Sequence, residues 1–143
     1  MSEEDESAPQ DAQVSKPRNR QLPRSPDGVS REVSESMKRI VEISFKFRNP
    51  RSTVEKHWLG HAHIFRPRGE IKGLEWKIWL MNRTKKTAGG IYLFRNEASA
   101  RAYINGPIIA AARTCPECSA YDPDVRVWEI LPRQTKITRG PVD

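Results

Sequence analysis

Apolar and polar side chains alternate along residues 39–47. The apolar positions are every second residue, namely Val41, Ile43, Phe45 and Phe47. A period of two predicts a strand that is buried on one face. Residues 74–83, 88–95 and 125–131 are also predicted to be strands. The polar link between the first two of these is short, which predicts an antiparallel hairpin.

Strict alternation along residues 74–83 predicts which side chains of that strand share a face. One face carries four apolar side chains, Leu74, Trp76, Ile78 and Leu80. The other face carries Glu75, Lys77, Trp79 and Met81. Trp76 and Trp79 are therefore expected to point in opposite directions, and they cannot both line one pocket. In residues 88–95 the same rule places Tyr92 and Phe94 opposite Ile91 and Leu93.

Residues 52–65 have the spacing of a helix. Side chains three or four positions apart form one face, at Val54, Trp58, His61 and Phe65. Ser52 or Thr53 is the predicted N-cap, and Glu55 lies three residues after Ser52, as in a capping box.

Asn96 is the predicted cap of a second helix that ends near residue 104, and residues 108–113 add further helical turns. The resulting order, β-α-β-β-α-β, is the ferredoxin-like α+β pattern. The predicted domain occupies residues 37–131. Residues 1–36 are rich in Pro, Ser and acidic side chains, which predicts a disordered tail. Residues 132–143 are basic and are predicted to be a loose C-terminal tail.

Charge and length narrow the classes of function. The chain carries 25 basic and 18 acidic side chains, a net charge of +7. Because the basic residues are scattered, they are typical of a solvated surface, and we do not expect nucleic acid as a partner. No apolar run reaches the roughly 20 residues that span a bilayer, so no membrane association is expected. The acidic N-terminus lacks the pattern of a secretory signal, which predicts a cytoplasmic protein.

Three segments together resemble the YdhR-type mono-oxygenase family: GLEWKIW at 73–79, AGGIYLF at 88–94 and EASARAY at 97–103. The segment SFKFRNP at 44–50 is similar to that family's first strand and the turn after it. The resemblance covers about residues 39–131. It implies a dimeric α+β barrel, in which the four-stranded sheets of a homodimer pack face to face.

The resemblance also implies kinship with small oxygenases and isomerases of antibiotic and aromatic polyketide pathways. Many of these enzymes use neither metal nor flavin, so we expect no cofactor and a hydrophobic aromatic small molecule as substrate. The quinone-forming relatives use an Asn and a Trp on the strand equivalent to 88–95. Here Gly90, Ile91, Tyr92 and Phe94 stand on that strand, so this catalytic pair is not transferred.

Aromatic side chains are the candidate substrate-binding residues. They can form the flat walls that suit a planar polyketide or quinone. The candidates are Trp58, Trp76, Trp79, Tyr92 and Phe94. The alternative is that they pack in the core or in a dimer interface.

His61 and His57 are the candidate catalytic bases. They lie four residues apart on one face of the first predicted helix, and a histidine of near-neutral pKa can deprotonate a phenol or an activated carbon. Arg113 is the candidate that holds an anionic oxygen of the substrate. The alternative for each residue is an exposed or structural role.

Cys115 and Cys118 form an isolated CxxC motif. The motif follows a predicted helix, whereas redox pairs usually precede one. A zinc site needs four ligands, and no pattern brings two more to this loop, so no metal is predicted. Two ordinary thiols are the simplest interpretation.

These observations favour an enzyme, a cofactor-independent mono-oxygenase that modifies an aromatic or polyketide intermediate. A base removes a proton, and the substrate anion then passes an electron to oxygen. One alternative is a cyclase or isomerase that stops at proton transfer. The other is a non-catalytic module that binds a ligand or nucleic acid, although residues 90–94 lack the strand signature of RNA-binding domains.

Overall fold

The structure is a computed structural model that describes residues 30–48, 50–114 and 120–143. Cys115 and Cys118, with the predictions made for them, lie outside the described residues. The chain divides into two units, Met1–Glu35 and Ser36–Asp143. Helix α1 (Arg31–Ser36) begins in the first unit, where the Arg31 guanidinium donates to the Glu35 carboxylate over 3.1 Å. The end of the predicted disordered tail is therefore helical, and this ion pair one turn apart supports the helix.

The second unit contains four strands and four helices among its described residues. In chain order these are β1 (Arg39–Lys46), α2 (Arg51–His61) with a 3₁₀ turn (Ala62–Phe65), β2 (Leu74–Asn82), β3 (Thr87–Phe94), α3 (Glu97–Ile104), α4 (Pro107–Thr114), β4 (Tyr121–Glu129) and α5 (Pro132–Ile137). The strands form one antiparallel sheet in the order β2-β3-β1-β4. This is the ferredoxin-like α+β fold, which confirms the predicted fold class.

The core lies on the face of the sheet that the helices cover. Val41, Ile43 and Phe45 of β1 are buried there, as the alternation predicted. Tyr92 and Phe94 of β3 lie beside them, and the core also contains Tyr103 of α3 and Ile109 of α4. We call this side the helix face of the sheet, and the opposite side the open face.

A β-bulge at the start of β2 corrects one predicted face. Leu74 lies opposite Phe94, whereas Trp76 lies opposite Leu93, so β2 has one extra residue between these two pairs. The extra residue reverses the alternation. Leu74 therefore shares the helix face, where it is only 3% exposed, and does not share the face of Trp76. Beyond the bulge the predicted alternation holds, with Trp79 on the helix face and Trp76 on the open face.

The predicted helix caps have different outcomes. The Asn96 side chain accepts a hydrogen bond from the backbone N–H of Ser99 over 2.8 Å, which confirms the cap of α3. Helix α2 begins at Arg51 with Pro50 in the N-cap position, and no side chain caps it there. The predicted cap at Ser52 or Thr53 is wrong, because both residues lie inside the first turn of the helix.

The C-terminal residues differ from the loose tail that the sequence predicts. Pro132 begins α5, which ends at Ile137. Further on, the carbonyl oxygen of Pro141 accepts a hydrogen bond from the Trp76 indole N–H over 2.7 Å. The correction has a tertiary cause, since this donor lies 65 residues away in the chain. Among the described residues, no helix combines the length and apolar character that crossing a membrane requires.

Candidate functional site

A cavity of about 430 Å³ lies on the helix face, between the sheet, α2 with its 3₁₀ turn, and α4. Aromatic side chains form much of its wall. The aromatic lining residues are Phe45, Trp58, Phe65, Trp79, Tyr92 and Tyr103. The rings contact one another, since the centroids of Trp58 and Trp79 lie 5.5 Å apart and those of Phe65 and Trp79 lie 5.2 Å apart. Such a wall suits a planar, apolar ligand.

Lys77 of β2 projects its amine into this aromatic wall. The Nζ atom lies 3.4 Å from the ring centroid of Trp79, 3.8 Å from that of Phe65 and 4.6 Å from that of Tyr92. Among the described residues, no carboxylate oxygen lies within 4.0 Å of this amine.

Burial lowers the pKa of Lys77 from its ordinary value of 10.5 to about 7, because the ammonium form loses water on entering the wall. The ring faces act in the opposite direction, since their quadrupoles attract a cation. Desolvation alone accounts for the pKa of about 7 at Lys77. A substantial fraction of Lys77 is therefore a neutral amine near pH 7, where an exposed lysine is almost entirely protonated.

Gly90 of β3 makes the room that the Lys77 side chain occupies. A Cβ atom at Gly90 would lie 2.9 Å from Lys77 Cε and 2.7 Å from the carbonyl oxygen of Ile78. Both distances are shorter than ordinary van der Waals contact. Gly90, the second glycine of the GGIYLF segment, therefore has a local role, which is to leave room for the Lys77 side chain beside β3.

Two tyrosine hydroxyls meet beside the cavity. The Tyr103 hydroxyl donates to the Tyr92 hydroxyl over 3.4 Å, and both side chains are buried. Burial raises the pKa of Tyr103 to about 12 and raises the pKa of Tyr92 still further. Both residues keep their protons at neutral pH.

His57 and His61 line the same cavity from α2. Their rings lie 4.5 Å apart, and both residues are exposed. The Nδ1 atom of His61 lies 2.9 Å from the carbonyl oxygen of His57. Because a carbonyl oxygen only accepts, Nδ1 of His61 carries a hydrogen, so in the neutral ring the lone pair lies on Nε2.

The structure brings five of the eight predicted site residues to this cavity: His57, His61, Trp58, Trp79 and Tyr92. Phe94 is fully buried beside Tyr92, with the two rings stacked at 6.3 Å, and it does not line the cavity. Trp76 lies on the open face. Arg113 is exposed near the end of α4 and is not in the lining.

Lys77 and Tyr103 are the lining residues of potential chemical interest that the sequence analysis did not select. The signal for Lys77 was present, since strict alternation placed it on the same face as Trp79. Within the described residues, no group of three or more His, Cys, Asp or Glu side chains is arranged to hold a metal ion.

The family model described as "Putative mono-oxygenase ydhR" matches residues 40–141. The chain belongs to this family. The match confirms the resemblance that the WKIW and GGIYLF segments indicated, and it extends through α5 to Pro141. No curated protein matches the chain.

Several solved structures are similar to this chain. A protein of unknown function from Nitrosomonas europaea is 18% identical, with a TM-score of 0.50 over 68% of this chain and 92% of its own. The heme-degrader MhuD from Mycobacterium tuberculosis is 16% identical, with a TM-score of 0.46 over 66% of this chain and 95% of its own. An antibiotic biosynthesis monooxygenase from Bacillus cereus, named as putative, is 11% identical, with a TM-score of 0.42 over 66% and 94%.

Proposed function

We propose that this protein is a cofactor-independent mono-oxygenase that acts on an aromatic or polyketide intermediate of secondary metabolism. The observation that carries the proposal is the Lys77 amine, set in an aromatic wall with a pKa of about 7. A base works best when its pKa lies near the working pH, and Lys77 meets this condition. Membership of a mono-oxygenase family supports the oxygen chemistry.

In the proposed reaction, the substrate lies flat against Trp79 and Trp58 with an acidic C–H or phenolic O–H toward Nζ of Lys77. The neutral amine takes this proton. The substrate anion passes one electron to O₂, and the resulting radical and superoxide combine to a peroxide that recovers the proton from Lys77. Loss of water leaves a carbonyl group. One oxygen atom enters the product and the other leaves as water, and the substrate supplies all the electrons.

His61 is the second candidate base, because its Nε2 lone pair faces no described hydrogen-bond partner and its side chain lines the cavity. His57 lies beside it and we propose that it assists proton exchange with solvent. Arg113 has no role in this proposal, because it lies outside the lining.

A second candidate function is a cyclase or isomerase on the same substrate class. The same observation favours it, since a buried neutral amine can remove a proton from an enolisable carbon without any oxygen. The anion then attacks a carbonyl within the same molecule or recovers a proton at another carbon. Oxygen consumption distinguishes this function from the first.

We also propose that the protein is a cytoplasmic homodimer joined through the open face. Ile78, Leu80 and Trp128 lie on this face and are 48%, 45% and 50% exposed. Covering these side chains removes apolar surface from water. A dimeric mass in solution that falls to a monomeric mass in Leu80→Glu supports the dimer, whereas a monomeric mass for the parent protein contradicts it.

The experiment that tests the function follows oxygen uptake and substrate loss with an anthrone-type phenol. The variants are Lys77→Met, His61→Ala and a matched control, Lys72→Met, which removes an exposed lysine. We expect uptake that Lys77→Met abolishes and Lys72→Met leaves unchanged. Conversion without uptake selects the isomerase. Unchanged substrate with every protein contradicts both functions for this substrate class.

A further inference from the structure

Lys77 offers a second chemistry besides proton transfer, because a neutral primary amine is also a nucleophile toward carbonyl carbon. We propose that Lys77 is a covalent capture site that condenses with an apolar aromatic aldehyde or ketone to form an imine. This reaction uses no oxygen and does not depend on the proposed mono-oxygenase function.

The surroundings of the Lys77 amine differ from those of Lys38 and Lys46. Lys38 and Lys46 contact carboxylates, with Nζ 2.7 Å from Glu75 Oε1 and 3.0 Å from Asp122 Oδ2. The ion pair with Asp122 raises the pKa of Lys46. Lys77 contacts aromatic rings instead, and from Trp76 to Asn82 its strand pairs residue by residue with β3. The amine is therefore held in the wall of a cavity on a rigid element.

The environment also favours the reactive form of the amine. Only the neutral form attacks a carbonyl carbon, and burial holds the pKa of Lys77 near 7. A lysine of ordinary pKa keeps only a very small neutral fraction at that pH. Near pH 7, Lys77 is therefore more reactive toward a carbonyl carbon than a lysine of ordinary pKa.

The condensation is balanced without any other reactant. The nitrogen lone pair of Lys77 forms a bond to the carbonyl carbon, and the π electrons move to oxygen, which takes a proton to give a carbinolamine. The nitrogen then loses its remaining proton as the C–O bond breaks and water leaves, which gives the C=N bond. Carbon and nitrogen are neither oxidised nor reduced overall.

The wall of the cavity selects the class of carbonyl compound. Trp79 and Phe65 flank the amine, with ring centroids 3.4 Å and 3.8 Å from Nζ, so the group attached to the carbonyl must lie against aromatic surface. A cavity of about 430 Å³ accommodates a fused-ring aldehyde. A small polar aldehyde gains no such contact.

The experiment incubates the protein with an equimolar amount of 2-naphthaldehyde and cyanoborohydride under nitrogen at neutral pH. Cyanoborohydride delivers hydride to the C=N bond and converts the imine to a stable secondary amine. The adduct adds the mass of the aldehyde less one oxygen atom. Digestion with a protease that does not cleave at lysine, followed by mass spectrometry, locates it. Glyceraldehyde is the polar comparison.

We expect the adduct on Lys77 to form at least about tenfold faster than on any exposed lysine, given the difference in their neutral fractions. Its rate should rise with a midpoint near pH 7, and glyceraldehyde should react without this preference. Lys77→Met and Lys77→Arg should lose the fast adduct, and Lys72→Met should retain it. An even spread over the exposed lysines, or a fast adduct that persists in Lys77→Arg, overturns the proposal. Because peptide mapping of the parent protein locates the adduct, the test remains decisive even if a variant fails to fold.

Discussion

The side chain of Lys77 passes through the space that a Cβ atom on Gly90 would fill. The distance from that Cβ to Lys77 Cε would be 2.9 Å, and the distance to the Ile78 carbonyl oxygen would be 2.7 Å. The first contact is with a flexible side chain, which can move, but the second is with backbone, which cannot move cheaply. Gly90 and Lys77 therefore form a structural pair across β3 and β2.

We expect Gly90→Ala to destabilise the protein by about 1–3 kcal/mol, because the added methyl group overpacks the strand pair. We also expect it to displace Lys77 and to slow adduct formation there. Denaturant unfolding measures the free energy of unfolding. The matched control is Gly60→Ala in α2, where an added Cβ meets nothing within 4 Å.

Gly60→Ala should raise the free energy of unfolding by up to about 1 kcal/mol, since alanine favours a helix over glycine. If the two variants change stability by the same amount and in the same direction, the packing of Lys77 against Gly90 is not as described.

The buried amine predicts how stability depends on pH. The pKa of Lys77 in the folded protein, about 7, lies below its ordinary value of 10.5, so the unfolded chain binds more protons between these values. The free energy of unfolding should therefore rise as pH increases above 7, by at most about 1.4 kcal/mol per pH unit. Below pH 7 both states are protonated, and this contribution becomes constant.

Urea unfolding from pH 6 to about pH 9.5 measures this slope and stays below the range in which tyrosines ionise. Lys77→Met removes the titrating group and should flatten the profile. Lys72→Met should keep the slope of the parent protein. Equal slopes in all three proteins would mean that Lys77 is not the group responsible.

The sequence predicts those features of the fold that depend on neighbouring residues, and it does not predict those that depend on contacts between distant segments. The faces of β1 followed from local alternation, because Val41, Ile43 and Phe45 are buried on one side. The bulge that places Leu74 in the core leaves no signal in the sequence of β2 alone. Its position depends on how β2 pairs with β3. The bond from Trp76 to Pro141 likewise joins segments far apart in the chain.

The sequence predicts the aromatic lining of the candidate site but not the buried amine of Lys77. The sequence predicts that aromatic residues such as Trp58 and Trp79 line a pocket. The structure places both in the cavity lining. A lysine in a strand usually faces solvent, so the sequence gives no reason to select Lys77, although alternation places it on the same face as Trp79. The lowered pKa of Lys77 arises from burial, and the rings that surround its amine come from Phe65, Trp79 and Tyr92, which lie on three different elements.

We expect Trp76→Phe to loosen the C-terminal residues. The substitution keeps an aromatic ring but removes the N–H that donates to Pro141. The net loss should be about 0.5–1.5 kcal/mol, and backbone amides of α5 should exchange hydrogen faster. Trp128→Phe is the matched control, because its indole donates to the Glu42 carboxylate instead. Equal exchange in α5 for both variants would contradict a specific role of the Pro141 bond.

Glu97 at the start of α3 holds two arginines that differ in burial. Its carboxylate lies 3.1 Å from the guanidinium of Arg39 and 2.8 Å from that of Arg101. The Arg39 side chain is only 4% exposed, whereas the Arg101 side chain is 62% exposed. Hydrogen bonding from Arg101, together with the charges of both arginines, lowers the pKa of Glu97.

Glu97→Gln should destabilise the protein more than Arg101→Ala does. The first change weakens the compensation of a buried cation, which is costly, and the second removes an exposed ion pair worth at most about 1 kcal/mol. Because the pKa of Glu97 is lowered in the folded protein, its contribution is present above the pKa of the unfolded chain and is lost as pH falls through the folded value. Urea unfolding at pH 7 and in mild acid measures both effects. A larger loss in Arg101→Ala than in Glu97→Gln at pH 7 would assign the role of Glu97 to the surface pair rather than to Arg39.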